Sequence, residues 1–315
     1  MVRLLVRKGS AMPRLVVGTV KGLYELGMDG SEPRADDGPT ADREVTTLAA
    51  TGDGLWALVD GTTVLRRDRH GTWTELASAS GLTCVLPGDG GLLVGAEPAR
   101  LLHLEGGVLE PAPSLDSTPG HETWHTPWGG PPAVRSMTRD RAGRLHVNVH
   151  VGGIPRSLDG GATWQPTIDV DADVHQVLAH PALADVVLAA TAMGMARSDD
   201  GGEHWRFERD GLHADYCRAV AVSGETVLVS ASTGPSGRRA AIYRTPLGSP
   251  ARFERCTAGL PEWFDANVDT GCLAADGETV AFGTADGSLF RSEDAGATWT
   301  EAAAGLPAVR AVTFA

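Results

Sequence analysis

Two stretches of this chain concentrate side chains suited to proton transfer or metal ligation. His121-Glu122-Thr-Trp124-His125-Thr-Pro-Trp128 sets two imidazoles, a carboxylate and two indoles within eight residues and runs into Gly-Gly-Pro-Pro132, a composition that reads as a long exposed loop. Long loops carrying aromatics are disproportionately functional, although such a loop can also fold over and pack its own tryptophans. Further on, Leu145-His146-Val147-Asn148-Val149-His150-Val151 alternates. A strand there puts His146, Asn148 and His150 on one side and the valines on the other. Imidazole can bind a metal, shuttle protons or donate to an anion, whereas a single buried His is more often just hydrogen-bonded to its neighbours.

The elements that position these residues follow from an internal repeat. Ser157-Leu-Asp159-Gly-Gly161-Ala-Thr163-Trp164, Ser198-Asp-Asp200-Gly-Gly202-Glu-His204-Trp205 and Ser292-Glu-Asp294-Ala-Gly296-Ala-Thr298-Trp299 are copies of one pattern, their tryptophans 41 and 94 residues apart. A worn copy, Arg67-Asp68-Arg-His70-Gly71-Thr72-Trp73, lies 91 residues before the first. A spacing near 45 residues signals a propeller or solenoid of repeated sheets. The pattern resembles the Asp-box, or bacterial neuraminidase repeat, of sialidases, sortilin-type receptors and photosystem II assembly factors. That resemblance implies a turn in which Gly takes positive φ, the Asp carboxylate accepts turn amide protons and the Trp packs between sheets. It also implies that the box is a peripheral turn, away from any substrate.

Aligned backward from each box, the chain gives seven units of four strands, A to D, with strand A starting near Val45, Leu82, Val134, Val174, Cys217 and Val268. The seventh is split: Leu15 to Tyr24 matches strands B and C, and Val309 to Phe314 matches strand A. The expected fold is therefore an all-β, seven-bladed propeller of four-stranded antiparallel blades, its ring closed by the C-terminal strand pairing with the N-terminal blade. Six or eight blades are the alternatives, because the unit from Leu82 to Pro113 has no box. The blades fall near residues 14–31 plus 308–315, 45–76, 82–113, 134–165, 174–207, 217–256 and 268–301, in one domain over 14–315. Residues 1–13 read as a leader outside the fold, with an apolar run too short for a secretion signal or a membrane span.

Repeat symmetry turns single residues into a ring. At the second position of strand A the blades carry Arg135, His175, Arg218, Asp269, Arg310, Thr46 and Thr83. Around one mouth of the central channel, Arg135, Arg218 and Arg310 would make a positive funnel suited to carboxylate, phosphate or sulfate, unless they pair with Asp173, Asp215, Asp265 or Asp269 and merely tie blades together. Aligned on the Gly before strand C, His150 falls where other blades keep Thr19, Thr191 and Thr284.

The net charge of −13 argues against nucleic acid or an anionic membrane as partner. Cys84, Cys217, Cys256 and Cys272 show no paired or metal-type spacing and read as reduced thiols of a cytoplasmic protein. A sialidase is disfavoured. That family implies six blades, an aromatic-Arg-Ile-Pro motif that this chain lacks, and a Tyr nucleophile assisted by Glu. Of Tyr24, Tyr216 and Tyr243, Tyr216 alone falls on the loop face.

Three readings remain. In the first, Arg135, Arg218 and Arg310, with Asp269, Trp124 and Trp128, bind a small anion or glycan, and His150, His175 or Tyr216 acts on it in a hydrolase or lyase. The second has His121, His125, His150 and His175, joined by His213 and Asp173, hold a divalent metal, the one cofactor the sequence suggests. In the third, a monomeric propeller offers its tryptophans to a protein partner, as the resemblance to the assembly factors implies.

Overall fold

The structure is a computed structural model describing residues 14–88, 91–112, 114–248 and 250–315. The proposed leader and Pro113 lie outside the described residues. Seven four-stranded antiparallel sheets make a seven-bladed propeller. Blade one is assembled from both ends of the chain: its strand A is Val309–Phe314 and its strand B is Leu15–Thr19, paired Leu15 to Phe314, Val16 to Thr313 and Val17 to Val312. This pairing closes the ring and leaves no inner edge strand open. Strand A of blades two to seven is Val45–Thr51, Leu82–Gly88, Ala133–Arg139, Val174–Ala179, Tyr216–Ser223 and Leu273–Asp276. The last departs from the expected start near Val268. The chain there makes a turn, Cys272 N donating to the Asp269 carbonyl at 2.9 Å, before pairing begins.

Strand B is sandwiched by the two neighbouring blades, so it is buried on both faces and reads as a continuous apolar run. Leu15–Thr19 and Val187–Thr191 are buried throughout. Outer strands such as Arg34–Ala35 and Gln165–Pro166 are short and exposed, which blunts the rim against pairing with other chains. Between blades six and seven, Phe264, Phe282, Phe290 and Trp299 pack with ring centroids 5.0 to 5.5 Å apart.

The three boxes fold alike. In the first, Gly161 N donates to Ser157 Oγ at 2.8 Å, Thr163 N to Asp159 Oδ1 at 2.9 Å and Thr163 Oγ1 to Asp159 Oδ2 at 2.7 Å. These donors hold the Asp159 carboxyl down at about 2. Gly161 has φ +103°, a conformation that excludes most side chains. Trp164 and Trp299 are buried between blades. All four cysteines are buried free thiols, and burial pushes Cys84 up to about 12. Among the described residues no helix is long and apolar enough to cross a membrane.

Candidate functional site

Strand A enters the ring through a repeated irregularity. In six blades the strand A to strand B register slips by one residue or more at its start, a β-bulge. The bulged residues are Arg310, Thr46, Thr83, Arg135, His175 and Arg218, the last sharing its bulge with Ala219. A bulge breaks the alternation of a strand and re-aims its side chain; here it brings Thr46, Thr83, Arg135, Arg218 and Arg310 to the channel mouth, whereas His175 stays buried against the Cys217 carbonyl. Asp269 reaches the same place differently, from the turn four residues ahead of strand A in blade seven.

The mouth opens into a cavity of about 630 Å³ lined by Arg135, Arg218, Arg310, Asp269, Glu44 and Glu97 among others. Two of its arginines are neutralised locally. Arg310 Nε donates to Glu44 Oε1 at 2.7 Å, and Arg218 grips Asp269 Oδ1 through Nε at 2.8 Å and Nη2 at 2.6 Å. Arg135 forms no ion pair or hydrogen bond among the described residues; its guanidinium lies 5.9 Å from the Trp128 ring centroid. Burial, together with repulsion from Arg218, depresses its pKa. For Arg218 burial acts the same way, but Asp269 and Tyr216 outweigh it and raise the group.

Beside the cavity, at the seam of blades four and five, aromatic rings stand in file. Trp128 stacks on His150 at 5.2 Å, His150 faces His175 at 5.8 Å, and His175 packs on Tyr216 at 4.7 Å. The Tyr216 hydroxyl accepts from Arg218 Nη1 at 3.3 Å, which ties the file to the arginines. Asp173 lies against both imidazoles, its Oδ1 2.9 Å from His150 Nε2 and its Oδ2 3.6 Å from His175 Nε2. It caps the short 3-10 turn Val170–Ala172 with φ +46°, a left-handed conformation that Asp tolerates better than most residues. Burial would raise the Asp173 carboxyl, but the two imidazoles outweigh it and hold the group far below the usual carboxylate range. Burial depresses His175, and Arg218 adds to the effect.

Strand register corrects the alignment of His150 with the threonines. Val149 pairs with Gly153 as Thr191 pairs with Gly194, so Val149 occupies the threonine position and His150, the last residue of strand B and paired with Ala133, is the one residue added ahead of the turn to strand C. In sibling blades the threonine closes this turn: Thr191 Oγ1 donates to the Gly194 carbonyl at 2.9 Å and Thr19 Oγ1 to that of Gly22 at 2.8 Å. Blade four closes it instead with the long loop, His125 N donating to the Val151 carbonyl at 3.0 Å and Val151 N to that of His125 at 2.7 Å. The loop insertion and the turn insertion therefore brace each other, and the loop lays Trp128 over His150.

The other expected residues separate. His121 contacts Glu122 and the edge of Trp124, and His125 is exposed with Nδ1 on the Thr123 carbonyl. Neither joins the group formed by His150, Asp173 and His175, whose ligand atoms all lie within 4.8 Å of one another. His213 instead hydrogen-bonds the Tyr243 hydroxyl at 2.8 Å and packs on Trp263. Trp124 is half-buried beneath the loop, whereas Trp128 is 67% exposed. No carboxylate hydrogen-bonds Tyr216 among the described residues; its hydroxyl is held by Arg218. The bulges left no trace in any one blade's letters. Asp173, two residues ahead of His175, was legible as a neighbour of the ring, but its contact with both imidazoles depends on the turn.

No protein-family model matches the chain, and no curated protein does. Solved structures do match. An ancestral GH74 enzyme aligns at 13% identity and TM-score 0.62, covering 90% of this chain and 38% of that one. The computationally designed Ika8 protein aligns at 15% and 0.60, covering 95% and 88%. The extracellular domain of a hybrid two-component system from B. thetaiotaomicron aligns at 12% and 0.62, covering 90% and 36%. The likeness is one of fold. The chain spans little more than a third of the first and third of these proteins, and at such identities their activities do not transfer.

Proposed function

We propose that the channel mouth binds a small organic anion, a carboxylate, phosphate or acidic sugar, and that the adjoining His150, Asp173 and His175 act on it in a hydrolase or lyase reaction. The observation that carries this reading is Arg135: a partly desolvated guanidinium that makes no ion pair or hydrogen bond among the described residues, beside a second arginine and under an exposed indole. A buried cation without a partner is unfavourable, so an anion that reaches it gains a charge-assisted hydrogen bond and relieves repulsion from Arg218. Trp128 supplies an apolar face for the body of the ligand. The buried imidazoles supply proton donors and acceptors next to it. The three serine–aspartate turns support placing the chain among the Asp-box propellers, as a member without sialidase chemistry.

Thermal shift against a panel of carboxylates, phosphates, sulfate and acidic sugars tests the reading. A ligand present at a hundred times its Kd contributes about 2.7 kcal/mol, enough to raise Tm by several degrees. The rise should vanish in Arg135→Ala. A panel without a stabilising anion, or an equal rise in the variant, rules the reading out.

A further inference from the structure

We infer that His150, Asp173 and His175 form a binding site for one divalent transition-metal ion. This deepens the anion reading, resting on it for what the ion would act upon and not for the ion itself; imidazoles that ligate an ion have given up the lone pair a proton acceptor needs, so the ion would take over the role assigned to them there. The geometry begins with His175. Its Nδ1 lies 2.6 Å from the Cys217 carbonyl, which can only accept, so Nδ1 carries the proton. Nε2 of the neutral ring is then a bare lone pair, and it faces the Asp173 carboxylate at 3.6 Å. Two acceptors facing each other in a buried site repel unless a proton or a cation lies between them. A metal ion there would take up both lone pairs, in a place where the His175 ring is 0% exposed.

The neighbouring atoms agree. His150 Nε2 stands 2.9 Å from Asp173 Oδ1 without the alignment of a hydrogen bond, and His150 Nδ1, Asp173 Oδ1 and His175 Nε2 are all buried without a hydrogen-bond partner. Native proteins rarely leave three such atoms together, because each costs about 1 to 3 kcal/mol. Coordination would satisfy Asp173 Oδ1 and His175 Nε2, each His offering one nitrogen. Two imidazoles and one carboxylate form a donor set that suits zinc, iron(II), cobalt(II) or nickel and leaves positions open for a ligand. The Cys217 carbonyl plays the orienting part usual for the far nitrogen of a metal-bound His. Arg218 and Arg310 are offset locally by Asp269 and Glu44, so an added dication leaves the mouth net positive and strengthens its hold on an anion.

Cobalt(II) titration of the metal-stripped protein, followed by its visible absorption bands and by calorimetry, tests the inference. One equivalent should bind, and Asp173→Asn should weaken binding a hundredfold or more. His150→Gln should do the same. His204→Ala, at an exposed box histidine, should bind as the wild type does. Asp173 is partly exposed and Asn matches its shape, so this variant decides the matter if His150→Gln fails to fold. A wild-type protein that takes up no cobalt, or an Asp173→Asn protein that binds it equally, overturns the inference. Arg135→Ala separates the two readings, because it should lose the anion and keep the metal.

Discussion

Two consecutive seams of the ring, built on the same register, differ in chemistry at matching positions. Blade five presents Leu188 and Ala190 to blade six, where they join Met195, Val220 and Val229 in an apolar layer. At the matching positions, by pairing with strand C, blade four presents His146 and Asn148 to blade five, and His150 follows. All three are buried, and Asn148 Oδ1 and one ring nitrogen of each histidine have no hydrogen-bond partner. At these matched strand positions the backbones are equivalent, so the difference there lies in the side chains. One seam is arranged for stability. The other holds polar groups that destabilise the fold unless they serve a ligand, as is common at functional sites.

Substitutions at matched positions test that contrast. Leu188→Ala should have the largest effect, about 2 to 5 kcal/mol in chemical denaturation, because it opens a cavity in a packed layer. A loss below 1 kcal/mol would mean that the apolar seam does not carry stability. Next comes pH. Burial keeps His146 neutral, depressing it below its ordinary value; Asp140 opposes this, and Arg144 and Arg156 reinforce it. As pH falls below about 6.5 the unfolded chain takes up the proton first, so stability present above that pH is lost below it. Urea midpoints above and below that pH should differ more in the wild type than in His146→Leu, where His175, His180 and His213 still titrate.

Thr191→Val should cost about 1 kcal/mol by removing the hydroxyl that closes the turn of blade five. An unchanged midpoint would contradict that role. The smallest effect is expected for Asn148→Ala, below about 1 kcal/mol, because its one bond to Ser136 is long at 3.4 Å and its carbonyl oxygen is unpartnered. A loss as large as that of Leu188→Ala would show that the polar seam is structural and remove the contrast.

The fold was legible because repetition averages out local ambiguity. Boxes, split ends and seven start points all demand the same ring, and Leu15 pairs with Phe314 as closure requires. The ring of strand A residues was legible for the same reason, since Arg135, His175, Arg218 and Arg310 stand out only against their siblings. What a repeat cannot show is where it is broken. His150 was matched to Thr191 because a one-residue insertion before Gly153 keeps the spacing to the glycine intact while shifting the strand. The loop histidines His121 and His125 looked like ligands by composition, but the loop uses its backbone on Val151 and its Trp128 ring, not its imidazoles. Glu44, which neutralises Arg310, lies 266 residues away in sequence and carries no local signal.

The account turns on Arg135 as the residue that receives an anion. Calorimetric titration of the best-stabilising anion into wild type and Arg135→Ala, at one pH and ionic strength, tests this most directly. A charge-assisted bond to a partly buried guanidinium contributes about 1.5 to 3 kcal/mol, so the affinity should fall by roughly ten- to a hundredfold with the heat of binding reduced. Equal affinities would contradict the account and make the channel mouth a structural feature of the ring.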